Sequence, residues 1–348
     1  MLVLLLTSLG CQQTEQDELV IYSGRSKALV DSLVERYRQQ SDQTVRINYG
    51  TDAQLLAALQ EEGDQSPADV FWANTTGALS NAIENDLLTT LPDSIVNRPE
   101  RFAPSSQRWT PVTTRFRVLA YNADAVDSTD LPASVLDLPA QSDLDGRIGW
   151  TPAYSSFQDF VTTLRQIEGD DTARQWLNDM QALNPKSYTS NTPMIQALAA
   201  GEIDVALTNH YYVLRLKHGG PEGEYEEEEG EDEEHEEDEE GPQRSAPVET
   251  YHFAEGDVGN LALVTGAGAL QTSDQTDAAH DFLRFLLSQE AQSFAAQSVN
   301  EYPVIQGAPV QPYMLPVDRA LRLSPEFDFE QLQDLDATLE MLRSVGAL

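Results

Sequence analysis

Short apolar runs alternate along the chain with stretches of helical spacing. Residues 18–22 (ELVIY) read as a buried strand, and Leu29, Val30, Leu33, Val34 and Tyr37 then recur at the three- and four-residue spacing of one helix face. Residues 45–50 (VRINYG) form the next strand. A helix carrying Leu55, Leu56 and Leu59 follows and closes at Gly63, and 68–73 (ADVFWA) returns to a strand. This β-α-β-α-β order implies a mostly parallel sheet covered by helices. A second set opens with strands 117–122 (RVLAYN) and 146–150 (GRIGW). It continues with helices near 156–168 and 172–183 and reaches strand 203–209 (IDVALTN). Beyond lie strand 261–270 (LALVTGAGAL), a helix with Phe282, Leu283, Phe285 and Leu286, the short 301–304 (EYPV) and a last helix near 328–343. The pattern predicts an α/β protein of two lobes, and 348 residues with 40% hydrophobic content suffice for two cores.

Two segments break the pattern. Residues 222–240 hold 15 acids and no Lys or Arg. Such a run repels itself and buries nothing, so 221–241 is expected to be a disordered acidic insertion, with His235 an optional ligand for cations. At the other end, MLVLLLTSLGCQQTEQDE carries an apolar stretch too short to span a bilayer. SLGC followed by a polar linker resembles a bacterial lipoprotein processing site, although the usual basic start is missing. On that reading 1–17 is a signal segment and linker, and Cys11, the sole cysteine, carries the lipid. The protein would then be periplasmic or at the cell surface, touching the membrane only through its anchor. No disulfide or thiolate metal site would remain.

Charge narrows the function. The formal net charge is −37, and outside the acidic run 43 acids still face 21 bases. Lys27, Lys186 and Lys217 are the only lysines. An acidic, lysine-poor surface stays hydrated where screening is strong, which speaks of a salty milieu. It excludes nucleic acid as a partner, since phosphates need neutralising. Neither G-x-S-x-G, H-E-x-x-H nor a Walker loop is present, and TGAGA (265–269) reads as backbone close to a hinge or cleft.

The segments VIYSGRSKALVDSLVERY, LQEEGDQSPADVFWA, RFRVLAYN, SVLDL…GRIGW and GEIDVALTNHYY…R, in this order, resemble the periplasmic ferric-iron-binding proteins of ABC importers. The resemblance covers roughly 18–345, apart from the acidic insertion. It implies a two-lobed, type II periplasmic-binding-protein fold. The first lobe would comprise 18–115 plus 262–312 and the second 116–261 plus 313–348. Two crossing strands would form the hinge, and Fe(III) would sit in the cleft. It further implies an ABC permease as partner, a monomeric protein, and carbonate or phosphate as a synergistic anion held at the loop after 146–150.

The residues themselves point to the same chemistry. Neighbouring tyrosines on a strand face opposite ways, whereas at a helix start successive side chains differ by roughly 100° and can converge. In TNHYY (208–212) a strand pattern gives way to a helical one just before Tyr211 and Tyr212. Ferric iron is hard and prefers anionic oxygen, and coordination can deprotonate a phenol near neutral pH. Calcium would need several carboxylates, and zinc would need His or Cys. A tyrosine pair alone is more often packing; the family segments around this one make it a ligand candidate. Tyr154, in GRIGWTPAYSSF, is a third candidate at a strand-to-helix turn, and Ser155 or Ser156 could cap that helix or present its N–H groups to an anion. Some relatives carry a His after the first strand and a Glu after the third, where this chain has Ser26 and Asn74. Three phenolates plus an anion or water are therefore expected. Arg25, Arg117, Asn191 and Asn209 are candidates around the anion, and His210 is a neighbour rather than a ligand. The same fold binding an oxyanion or organic phosphate without metal is the alternative. Two rivals stand further off: an enzyme using one tyrosine as acid or base, and a cation buffer built on the acidic run.

Overall fold

The computed structural model describes residues 18–99, 101–219, 246–327, 329 and 334–348. The segment expected to be a signal, with Cys11, and the segment expected to be an acidic insertion, with His235, lie outside these. The first half runs β1 (Leu19–Ser23), α1 (Lys27–Gln40), β2 (Val45–Tyr49), α2 (Asp52–Glu62), β3 (Val70–Ala73), α3 (Thr76–Glu84) and the single turn α4 (Asp93–Val96). The long β4 (Thr110–Asn122) follows. Then come β5 (Ile148–Trp150), α5 (Ser155–Glu168), α6 (Asp170–Ala182), β6 (Lys186–Ser187), α7 (Asn191–Ala199), β7 (Val205–Asn209) and α8 (His210–His218). The chain ends with β8 (Val248–Tyr251), β9 (Ala262–Ala269), α9 (Thr276–Leu286), α10 (Gln289–Ser298), β10 (Tyr302–Pro303), α11 (Val317–Leu323) and α12 (Leu335–Ser344).

The strands join in the order β2-β1-β3-β9-β4-β7-β5-β6, with β8 and β10 also pairing β4. The outer strands are parallel, β1 with β2 and β3, and β5 with β6 and β7. Around β4 and β9 every pairing is antiparallel, so the sheet is mixed where the periodicity suggested mostly parallel strands. The cause lies in β4. The expected strand began at residue 117, but the observed one starts at Thr110 and includes a run of buried threonines and Arg115. That run has no apolar alternation because both of its faces are covered. From Thr110 to Phe116 this strand pairs with β9; from Arg117 to Tyr121 it pairs with β7. One strand thus threads both halves of the protein, and the partner changes between Phe116 and Arg117.

Packing follows the strand alternation. Leu19, Ile21, Val70 and Trp72 face α1 and α9, while Val20, Tyr22, Phe71 and Ala73 face α2 and α3. In the other half Leu119, Val205 and Leu207 face α5 and α6, while Ala120 and Ala206 face α7 and α8. The face predicted for α1 is the buried one. A bulge between Pro111 and Thr113 interrupts the β4–β9 ladder. The hydroxyl of Thr265 accepts the Thr113 N–H at 3.2 Å, and the amide of Gln292 donates to the Val112 carbonyl at 2.7 Å. In TGAGA, a Cβ at Gly266 would meet the Trp109 ring at 2.4 Å, so that glycine serves close packing.

Candidate metal centre

The parallel strands β5 and β7 end at the same edge of the sheet and lead directly into α5 and α8. The start of α7 joins them there, because the Thr208 hydroxyl donates to Asn191 Oδ1 at 3.1 Å. Ligands of open α/β sheets bind at such carboxyl ends. At all three helix starts the N-cap side chain, Tyr154, Ser190 or Asn209, makes no capping hydrogen bond. By contrast Thr51 and Thr75 do cap α2 and α3.

The strand-to-helix change in TNHYY falls at Asn209–His210, as the pattern predicted. The rings of Tyr211 and Tyr212 lie side by side, centroids 4.2 Å apart and planes tilted by 31°. Tyr154 reaches across from the start of α5, and its Oη is 3.1 Å from that of Tyr212. The pair is buried, 6% and 3% exposed, against Met194, Ile195 and Val213. All three phenols act electrostatically on Arg115. Among the described residues no group of three or more His, Cys, Asp or Glu is arranged to hold a metal, so the donors gathered at this point are phenolic.

Beside the phenols sit hydrogen-bond donors without acceptors. Asn191 Oδ1 and Asn209 Oδ1 are occupied, the latter by Arg117 at 3.2 Å, while the Nδ2 of each is buried with no acceptor. The hydroxyls of Thr151 and Ser190 are likewise buried without a partner. Unmet buried donors of this kind cost roughly 1–3 kcal/mol each, and an anion would satisfy them. Ser156 is buried and accepts from Arg117 at 3.4 Å; Ser155 opens α5 half-buried.

Arg115 and Arg117 point to one face of β4, two residues apart across the partner change. Arg117 turns to Asn209, Ser156 and the Leu207 carbonyl, while Arg115 turns to Asn74 at 2.7 and 3.0 Å. Burial pushes the Arg117 guanidinium down to about 9, which leaves it charged at neutral pH. Burial works against Arg115 too, but the phenols and Glu301 outweigh it and raise its pKa. The fork of Arg25 is committed to Asn74 Oδ1 and to Glu301, both at 2.6 Å. Asn74 therefore accepts from two arginines. Although burial disfavours the Glu301 carboxylate, Arg25, Arg115 and the Thr113 hydroxyl hold its pKa below the usual value. Burial raises the Asp159 carboxyl, on α5, to about 7 against the pull of Arg115 and Arg117.

His210 is no ligand in this arrangement. Its Nδ1 accepts the Phe116 N–H at 3.2 Å, and its Nε2 is 2.8 Å from the Asn300 carbonyl, which requires a proton on Nε2. Burial pushes its pKa to about 4, so the ring is neutral. It ties the start of α8 to β4 at the partner change and to the segment before β10.

Seven candidates thus come together: Tyr154, Tyr211, Tyr212, Ser156, Asn191, Asn209 and Arg117. Arg25 joins them through Asn74 and Arg115. Sequence reasoning missed Arg115, Glu301 and Asp159. Arg115 was discoverable as the i−2 partner of Arg117 on a strand. Glu301, brought to Arg25 from 276 residues away, carried no local signal.

A family model described as bacterial extracellular solute-binding protein matches residues 23–293. The chain is 26% identical over 347 residues to an Fe(3+)-binding periplasmic protein of Serratia marcescens, covering 99% of this chain and 95% of that protein. It is 28% identical over 290 residues to the major ferric iron-binding protein of Neisseria meningitidis, covering 82% and 81%. Among solved structures it resembles iron-bound HitA from Pseudomonas aeruginosa, with a TM-score of 0.80, 30% identity, and coverage of 94% of this chain and 99% of that one.

Proposed function

The chain belongs to the bacterial extracellular solute-binding protein family, with the type II periplasmic-binding-protein fold, and from that premise we propose that it captures Fe(III) for an ABC importer. Tyr154, Tyr211 and Tyr212 bond the ion as phenolates. Ser155, Ser156, Asn191, Asn209 and Arg117 hold a synergistic anion, carbonate or phosphate, at the starts of α5, α7 and α8, and Arg25 approaches it from the other side. The observation that carries this reading is the 3.1 Å contact between the Tyr154 and Tyr212 hydroxyls, with the Tyr211 ring 4.2 Å from that of Tyr212. The unmatched amides of Asn191 and Asn209 support the anion.

We take the lobes to be 18–115 with 262–312, and 116–261 with 313–348. The change of partner along β4 at Phe116–Arg117 supports that division. The ion is bound more tightly in the closed form, which drives closure. Loss of the anion or protonation of a phenolate releases the cargo to the permease. The work is capture, without turnover. The protein acts as a monomer outside the cytoplasmic membrane, anchored by lipid on Cys11.

The test is to add ferric citrate with bicarbonate to the purified protein. A visible phenolate-to-iron charge-transfer band is expected. Tyr211→Phe and Tyr212→Phe should each abolish tight binding, and Tyr154→Phe should weaken it and shift the band. The alternative, an oxyanion or organic phosphate bound without metal, gains from the same amides but leaves three convergent phenols without a task. A colourless, iron-free protein whose phosphate binding survives the Phe substitutions would establish that alternative instead.

A further inference from the structure

Arg215 lies on α8 four residues after Tyr211 and three after Tyr212, so all three share one helix face. It is 3% exposed, unusual for an arginine in a helix of a strongly acidic protein. Its guanidinium carbon sits 5.3 Å from the centroid of the Tyr211 ring and 5.2 Å from that of Tyr212. Arg115 and Arg117 direct N–H groups at Asn74, Asn209 and Ser156.

This placement has a chemical consequence. A cation against a ring face is attracted to its π electrons, more so when both are out of water. The attraction grows when the ring carries negative charge. A cation at the ring face also leaves the oxygen lone pairs to a metal, whereas a hydrogen bond to the oxygen would compete for them. The Oη of Tyr212 is directed at Tyr154.

We infer that Arg215 is a positioning residue for the captured metal. It stabilises negative charge on the two rings that bond a trivalent ion and thereby sets the strength and optical signature of that bond. The inference rests on the ferric reading above and deepens it. Stabilised ring electrons lie lower in energy, so the charge-transfer band sits at higher energy than it would without the guanidinium. Arg215 also stands in the last turn of α8 with Lys217 and His218, where any cation is favourable toward the helix dipole. That role would affect stability but leave the optical band in place.

The experiment compares Arg215→Met and Arg215→Lys with the parent protein, loaded with ferric citrate and bicarbonate at one fixed pH. Three quantities are read: the band position, iron partition against added citrate, and far-UV circular dichroism. Arg215→Met should keep its fold, move the band to lower energy and lose about tenfold in partition toward the protein. Arg215→Lys keeps a cation near the rings and should stay within about threefold of the parent, with a smaller shift. A folded Arg215→Met with unchanged band and partition overturns the inference. If Arg215→Met does not fold, Arg215→Lys decides. A Lys variant whose band falls all the way to the position of a small ferric–phenolate complex in solution, where no cation faces the ring, overturns it. A parent protein that develops no band would sink the ferric reading itself, an outcome distinct from either.

Discussion

The pair Arg25–Glu301 offers the sharpest energetic test, because it is buried and joins distant parts of the chain. The two groups are 2.6 Å apart, with side chains 4% and 3% exposed. Glu301 also accepts from Thr113 at the β4 bulge. Removing the carboxylate with Glu301→Ala strands a buried guanidinium whose Nε already has no acceptor. Breaking a buried pair in this way costs about 3–5 kcal/mol, and Arg25→Met should cost a similar amount by stranding the acid. The double variant removes both charges, so its cost should fall short of the sum by about 2 kcal/mol or more. Urea unfolding of the four proteins measures this. Additivity within about 0.5 kcal/mol would refute the coupling.

The pH dependence of that coupling has a definite sign. The folded pKa of Glu301 lies below its ordinary value. Its stabilising contribution is therefore present in full above the unfolded carboxylate range, near about pH 4.3, and fades as pH falls through the lower folded value. The coupling should be constant at neutral pH and shrink only in strong acid. A coupling that vanished near about pH 6 would show that the carboxylate is not held charged as described.

Asn209→Leu and Asn191→Leu should weaken ferric binding by removing unmatched amide donors, and the loss should be smaller when bicarbonate and phosphate are withheld from the parent as well; isothermal titration in both buffers checks this. His210→Ala should cost about 2–4 kcal/mol in urea, because the Phe116 N–H and the Asn300 carbonyl lose their partner inside the protein. Since the folded His210 pKa is lowered to about 4, the parent should lose stability as pH falls from about 6.5 toward 4, by about 3 kcal/mol from this group. His252, also lowered to about 4, titrates in both proteins, so the difference between them isolates one proton. Deleting 221–241 should leave ferric partition against citrate unchanged.

Much of the candidate site's layout was legible because its tyrosines sit in local patterns. The strand-to-helix switch at Asn209–His210 sits in five consecutive residues, and the turn at Tyr154 in a dozen. Helix faces such as Leu29, Val30, Leu33 and Val34 follow directly from spacing. What escaped notice depends on long-range burial. The stretch before residue 117 is rich in Thr and Arg, and only burial of both faces makes it a strand. The mixed sheet follows from that hidden length. Glu301 looks like any acid beside a short EYPV strand until the fold brings Arg25 to it. The buried Asp159 is similarly concealed on a helix whose apolar face is read from Phe157 and Phe160.

The chain is acidic overall, yet Arg115 and Arg117 are buried within electrostatic reach of the phenols, and Arg25 is buried behind them on Asn74. In a salty medium the surface charge is screened within about 10 Å or less, whereas buried charges keep their field. On the proposed reading, three phenolates already neutralise a trivalent ion. Glu301 offsets Arg25, while burial raises the pKa of both neighbouring carboxyls, Asp159 to about 7 and Asp52 as well, and so weakens their hold on Arg115 and Arg117. Positive charge is left over, and one further anion beside the metal would use it. The arginines therefore argue for capture of iron together with an anion, and against a site that draws bare cations to an acidic protein. Iron loading in bicarbonate- and phosphate-free buffer tests this directly: if the protein loads iron there as tightly as in their presence, the charge argument is wrong.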